Sequence, residues 1–291
     1  MRVRCITLNL EGLEHDWFGT RFRIVVAGLR KYRPDVVCFQ ECTVRYVNGI
    51  YNQAQAIGEA SGLDFVAFAP YGNPTEIMSP NQGGVAVVSR WPIRATRNRR
   101  LPTAHDTPPD ARVALLVTLQ TPIGTLDIVT THLSWQPVEG PLRLTQLGMV
   151  IDEFSSNDWT SPVARALLVG DFNATAEEPA IHLANERLKD CFRSIRQYDP
   201  GYTWVRSNPM NVGWKNMPDR RLDYIFCPRD VKVLRAERVF NGSDGDGYAS
   251  DHFGLLADVE WPARCEIHPK RRRDRMRSVE KAKTKTSTAA I

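Results

Sequence analysis

No apolar run in the chain approaches the ~20 residues that a membrane-crossing helix needs. The first residues, Met1-Arg-Val-Arg-Cys-Ile-Thr-Leu-Asn9, are basic but contain no apolar segment of leader length. They read as an opening strand, and a cytoplasmic location is expected. Cysteine is scarce and scattered: of the six, at 5, 38, 42, 191, 227 and 265, only Cys38 and Cys42 lie close together. With no second pair at zinc-ligand spacing, a structural zinc site or disulfide framework is disfavoured, and free core thiols are expected. A positive balance is also lacking over most of the chain. The 291 residues carry a net +5, but residues 262–291 hold ten Lys/Arg against three Asp/Glu, a surplus of seven. Residues 1–261 are therefore slightly acidic, at −2.

A hydrophobic content of 42% and a charged content of 24% are ordinary for a globular protein. The length suits one large domain with a substantial core. No linker is visible before Pro262, so one domain over 1–261 and a basic, disordered tail over 262–291 are expected. The tail reads either as a solubilising end or as an electrostatic arm for nucleic acid.

Val3 to Leu8 reads as a strand delivering Asn9 and Glu11 at its end. Phe22, Val25, Val26 and Leu29 keep helical spacing within 20–32, and Pro34 ends that segment. A strand over 35–41 finishes in Glu41. A helix over 51–61, a strand over 65–69, a Pro/Gly/Asn-rich loop over 70–84 and a strand from Val85 follow. Residues 111–119 and 124–131 form a hairpin, 142–154 a helix, 166–169 a strand and 177–188 a helix. Further strands fall at 222–227, 231–239 and 253–260. Strands interleaved with helices and hairpins predict an α/β domain with sheets inside and helices outside.

Polar residues recur where apolar runs stop: Asn9, Glu41, His132, Asp171, Asn173, Asp223, Asp251 and His252. Strand ends present loops on a rigid support, which is where chemistry is positioned. Oxygen and amide donors with few thiols suit a hard cation such as Mg²⁺ or Mn²⁺. His, Asp and Asn can transfer protons and hold developing charge. Singly, each residue has an ordinary alternative. Gly170-Asp-Phe-Asn173 serves as a turn, Glu41 and Asp251 as helix caps, His132 as a core histidine, and Asp223 as a partner of Arg220 or Arg221.

The ordered set Thr-x-Asn9, Gln-Glu41, Thr-His132-Leu, Gly-Asp171-x-Asn173, Arg-Leu-Asp223-Tyr-Ile-Phe and Ser-Asp251-His252 resembles the endonuclease/exonuclease/phosphatase superfamily over roughly 3–261. The resemblance implies a four-layer α-β-β-α sandwich and Mg²⁺-dependent phosphoester hydrolysis, with Mn²⁺ as a substitute. It implies Glu41 as principal metal ligand, helped by Asn9 and Asp251. Asp171 would activate water, Asn173 would hold a phosphate oxygen, and His252, oriented by Asp223, would stabilise transition-state charge. His132 would contact the phosphate from the opposite side, with Glu76 as a candidate partner.

Thr7-Leu-Asn-Leu-Glu-Gly-Leu13, Gly201-Tyr-Thr-Trp204 and Ser250-Asp-His-Phe-Gly-Leu-Leu256 are similar to the tyrosyl-DNA phosphodiesterase branch. That adds Glu11 as metal support and Trp204 as a flat face beside the substrate, although a core tryptophan is the equal alternative. Arg112, Arg143 and Arg206 are candidates to line a phosphate path, or else to make surface ion pairs. Phe172-Asn173-Ala-Thr-Ala departs from that branch. A nucleic-acid phosphodiesterase is therefore the expectation. A phospholipid or sphingomyelin phosphodiesterase or a small-molecule phosphatase is the alternative, and a non-catalytic nucleic-acid binder a remote one.

Overall fold

The computed structural model of the protein describes residues 1–46, 49–72, 81–104, 111–154, 165–214, 216–242 and 247–262. Glu76 and the tail beyond Pro262 lie outside the described residues. Met1–Trp261 forms one compact unit.

Its first sheet has the order β12 (Lys232–Val239), β13 (Gly254–Glu260), β1 (Arg2–Asn9), β2 (Val36–Arg45), β5 (Asn81–Ser89) and β4 (Phe65–Pro70). The short β3 (Tyr51–Asn52) pairs with β2. The second sheet runs β10 (Lys189–Asp190), β11 (Asp223–Cys227), β9 (Ala166–Asp171), β8 (Gly124–His132), β7 (Arg112–Thr121) and β6 (Ile93–Leu101). Helices α1 (Phe22–Tyr32) and α2 (Gln53–Ser61) cover the first sheet, and α3 (Gly140–Phe154) and α4 (Pro179–Arg187) cover the second. Among the described residues the remaining α-helix is the short α5 (Cys191–Ile195).

Strand alternation builds the four layers. In β7, Val113, Leu115, Val117 and Leu119 point between the sheets, while Ala114 and Leu116 pack with α3 and α4. In β1, Val3 and Cys5 face the other sheet, and Ile6 and Leu8 meet α1 and α2. Buried on both faces, such strands read as continuous apolar runs. Five cysteines are buried and free, as expected. α2 is capped by Asn52, which accepts from the Gln55 N–H at 3.2 Å, and ends at Gly62 in the left-handed region.

Two differences from the sequence reading matter below. Strand β5 begins at Asn81, inside the stretch expected to be loop. Strand β6 was not anticipated at all: its residues from Arg94 to Arg100 are exposed, so no apolar alternation marks it.

Candidate active site

Each sheet contains one parallel pair, β1 with β2 and β8 with β9. A helical crossover, α1 or α3, returns the chain each time, so the C-terminal ends of each pair lie together. Asn9 stands beside Gln40 in one sheet, and His132 beside Asp171 in the other. β11 starts at Asp223 directly opposite Asp171, and β13 starts just after His252. The expected polar residues therefore collect at one end of the sandwich.

Two local devices aim them. Between Phe39 and Cys42 the β2–β5 register slips, and Glu41 within that bulge takes φ 50°. Gln40 then turns between the sheets, accepting from Thr7 Oγ1 and donating to Thr130 Oγ1, both at 3.1 Å, while Glu41 reaches the cleft. Gly170 has φ 149°, and a Cβ there would fall 2.1 Å from the Thr131 carbonyl oxygen. Only glycine lets β8 and β9 approach closely enough to set His132 beside Asp171.

Asn9 Nδ2 donates to Glu41 Oε1 at 2.9 Å and to Asp171 Oδ2 at 3.1 Å, bridging the two sheets. Asn9 Oδ1 accepts the Glu11 N–H at 2.9 Å. His252 Nδ1 lies 2.9 Å from Asp223 Oδ2, and its Nε2 lies 3.8 Å from Asp171 Oδ2. His132 Nε2 lies 3.6 Å from the same Asp171 oxygen. The Asp171 Oδ1 accepts the Asn173 N–H at 2.9 Å.

His132 has neighbours at both ring nitrogens: Tyr71 Oη at 2.7 Å from Nδ1 and Asn173 Nδ2 at 2.9 Å from Nε2. Asn173 Nδ2 also donates to the Leu133 carbonyl at 3.1 Å, which fixes the amide orientation, since a carbonyl can only accept. Nε2 is then the lone-pair nitrogen and Nδ1 carries the proton. Tyr71 Oη accepts that proton and also the Glu41 N–H at 3.0 Å. In this arrangement both amide protons of Asn173, the residue expected to hold a phosphate oxygen, are directed at His132 and Leu133. Its Oδ1 is the acceptor left for a water in the cleft.

Electrostatics divide the two histidines. Burial, then Arg112 and His252, hold His132 well below the ordinary imidazole value, so it is neutral. Burial also opposes the charge on His252, but the carboxylates of Asp223, Asp251 and Asp171 outweigh it and keep the ring protonated. Burial and the neighbouring Asp223 push the Asp171 carboxyl up to about 7. Burial and Asp251 raise Glu41. Glu11 is pushed up to about 8 by burial and by Asp251, against the pull of Arg21.

Glu11, Glu41 and Asp251 thus crowd like charges, and Glu11 Oε2 is buried with no hydrogen-bond partner among the described residues. Such an all-oxygen set fits a hard cation, with Asn9 beside it. Asp171, Asp223 and His252 also place ligand atoms within 4.8 Å of one another. There, however, His252 Nδ1 already faces Asp223 Oδ2 at 2.9 Å, an arrangement suited to proton handling.

A cleft of ≈ 560 Å³ opens over these residues, walled by Trp204, Met217, Arg220 and Trp135. A second, of ≈ 390 Å³, continues past Glu41, Arg112 and His132 towards Glu11 and Tyr71. Trp204 is 5% exposed and reaches the cleft with the Arg220 guanidinium 4.9 Å above its ring, so wall and packing roles coincide. Arg112 lines both clefts and donates to the Leu133 carbonyl at 3.2 Å.

Arg143 differs from expectation. It is 2% exposed, pairs with Glu178 at 2.8 Å and donates to the carbonyls of Ser134 and Gln136. Its guanidinium braces the loop under Trp135 instead of lining a phosphate path. Arg206, also suggested for that path, pairs on the surface with Asp219 at 3.3 Å. Tyr71, Arg220 and Met217 were missed. Arg220 carried a signal, as one of two arginines before Leu222-Asp223; Tyr71 and Met217 carried none.

Two sheets packed face to face under helices, with paired His–Asp and Asn–carboxylate contacts at one end, define the α/β sandwich of a hydrolase family. The chain belongs to the Endonuclease/Exonuclease/phosphatase family, whose model matches residues 6–252. It is 24% identical over 268 residues to tyrosyl-DNA phosphodiesterase 2 of Homo sapiens, covering 88% of this chain and 67% of that protein. Its fold is similar to the human Nocturnin catalytic domain with bound sulfate anion, at a TM-score of 0.69 and 21% identity, over 90% of this chain and 94% of that one. It is likewise similar to D. rerio TDP2 complexed with single strand DNA product, at 0.68 and 18%, over 89% and 99% of the two chains.

Proposed function

We propose that the chain is a divalent-cation-dependent phosphodiesterase that hydrolyses phosphoester bonds in nucleic acid, in the manner of an end-processing nuclease. The observation that carries the reading is the meeting at Asp171 of a neutral and a protonated histidine, with Asn9 joining Asp171 to Glu41. The curated relative that acts on tyrosyl-DNA, and the structural relative holding a single-strand DNA product, support nucleic acid as the substrate class.

A Mg²⁺ or Mn²⁺ ion held by Glu41, Asn9 and Asp251, with Glu11 in support, would polarise the phosphoryl oxygen and offset charge on the leaving group. The remaining steps belong to the chain. Asp171, oriented by Asn9 and the Asn173 N–H, accepts a proton from the attacking water. Asn173 Oδ1 helps to orient that water. His252, held by Asp223 and positively charged, donates from Nε2 to an oxygen that gains charge in the transition state. His132, fixed by Tyr71, keeps the Asn173 amide turned away from the phosphate. Trp204 and Arg220 give a base or sugar a flat, cationic wall.

A parallel assay tests the proposal, using 5′-phosphotyrosyl oligonucleotide, single- and double-stranded DNA, RNA, sphingomyelin and an inositol phosphate. Hydrolysis of a nucleic-acid substrate, lost in Asp171→Asn, is expected. Turnover of sphingomyelin or inositol phosphate alone overturns the substrate class.

A further inference from the structure

The outer strand β6 reads Ile93-Arg-Ala-Thr-Arg-Asn-Arg-Arg-Leu101: four arginines and no carboxylate in nine residues. It pairs with β7 on one side only, and its residues from Arg94 to Arg100 are exposed. Among the described residues the Arg94, Arg99 and Arg100 side chains make no hydrogen bond or ion pair. The register shows where the row leads. Leu101 sits opposite Arg112, which lines both clefts, and Arg100 sits opposite Val113. Ile93, at the other end, sits opposite Leu119. From Arg100 to Arg94 the strand recedes from the cleft mouth by ~20 Å.

Charged residues on an edge strand also prevent edge-to-edge pairing, and either sign serves that purpose. The single sign here, within a domain whose residues 1–261 carry −2, calls for an anionic partner. Arg99 and Arg100 lie on opposite faces of β6, but because β6 is the outer strand both border one open edge that leads away from the Arg112 end. A narrow edge matches a phosphodiester backbone better than a flat membrane, and the exposed residues of β6 include no apolar side chain larger than Ala95.

We infer that β6 is a phosphate-tracking edge: it binds the nucleic-acid backbone several nucleotides away from the scissile bond, through Arg94, Arg99 and Arg100. The inference rests on the nucleic-acid reading above and extends it to a substrate that is long rather than a mono- or dinucleotide.

The test uses the full chain carrying Asp171→Asn, so that substrate survives, with and without Arg94→Glu/Arg99→Glu/Arg100→Glu. Charge reversal keeps the edge protected, and a thermal melt confirms the fold. Binding of single-stranded oligonucleotides of roughly 4 and 16 nucleotides is measured across a salt series starting at about 50 mM. The 16-mer is expected to bind the triple variant at least ~10-fold more weakly at low salt, with the log–log salt slope reduced by about 2, the value for three lost phosphate contacts on a single strand. The 4-mer is expected to bind both proteins alike.

Equal affinity and equal slope for the 16-mer overturn the inference, as does a variant that aggregates while binding DNA normally, since the row is then edge protection alone. An Asp171→Asn chain that binds no oligonucleotide, together with an unsubstituted chain that cleaves none, overturns both readings. An unsubstituted chain that cleaves, with binding by the Asp171→Asn chain indifferent to the triple substitution, overturns only the role of β6. Arginine-dependent binding to phosphatidylserine vesicles, with none to oligonucleotides, also overturns it.

Discussion

The Tyr71 hydroxyl lies 2.7 Å from His132 Nδ1 and at the same time receives the Glu41 N–H at 3.0 Å. Tyr71 follows β4 in one sheet and His132 ends β8 in the other, so one phenol ties the cation side of the site to the water side. Tyr71→Phe strands two donors, each costing about 1–3 kcal/mol if left buried. A fall in kcat of ~10- to 100-fold is expected, with KM for a short diester little changed. Imidazole ¹⁵N chemical shifts should report a proton on Nδ1 of His132 in the parent chain. A proton on Nε2 in the parent would refute the tautomer.

Asp171 must be ionised to accept a proton, and burial together with Asp223 pushes it up to about 7. Activity should therefore rise with pH, with its acid limb between about 5 and 7, because a bound cation pulls the group downward. Asp171→Asn should cost about 10²- to 10⁴-fold in kcat. A kcat/KM profile flat across that range counts against Asp171 as the base.

Crowding of Glu11, Glu41 and Asp251 destabilises the metal-free chain. EDTA should abolish activity, and Mg²⁺ or Mn²⁺ should restore it and raise the melting temperature. The rise corresponds to about 2.7 kcal/mol at a hundredfold excess over Kd. Glu41→Gln should melt at or above the metal-free parent, since it removes a repelling charge, yet show no cation-induced rise. A cation shift that survives in Glu41→Gln places the ion elsewhere.

Arg143→Ala should lower stability by ~3 kcal/mol, because Glu178 and three loop carbonyls lose a buried guanidinium. Arg143→Lys should not recover it, since an ammonium cannot span the fork. Chemical denaturation measures both. A stable Arg143→Ala with raised KM would return this residue to the substrate path.

Asp258, on β13, is 1% exposed and accepts from Arg4 at 2.6 Å and Arg2 at 2.8 Å. Burial pushes its carboxyl up, but those hydrogen bonds and charges outweigh it and hold it below the ordinary value. The folded pKa is thus below the unfolded one. The stabilisation is present above about pH 4 and is lost as pH falls through the folded value. Asp258→Asn should be less stable at neutral pH and lose less on acidification, as followed by urea unfolding between pH 7 and 3.

Buried strands ending in polar residues were legible because burial on both faces leaves an uninterrupted apolar run, and the first polar residue then marks the strand's end. Asn9, Glu41, His132 and Asp171 stand out in that way, whereas Asp223 opens its strand and was legible only through the Arg-Leu-Asp-Tyr motif. β6 escaped because an exposed edge needs no apolar face. Arg143 was misplaced because an arginine that braces a loop and one that grips phosphate look identical in sequence. Glu76, the expected partner of His132, lies outside the described residues, and Tyr71, a residue as common in cores as in sites, stands at His132 Nδ1 without having drawn attention.

The cleft draws Asn9, Glu41 and His252 from one sheet and His132, Asp171 and Asp223 from the other, and the Asn9–Asp171 contact crosses the seam between them. Reactivity is therefore hostage to the thickness of the core. Shortening a side chain such as Val169 or Leu115, which never meets substrate, would alter the gap between base and cation. A directed search for rate variants should therefore sample this interior seam as densely as the cleft wall.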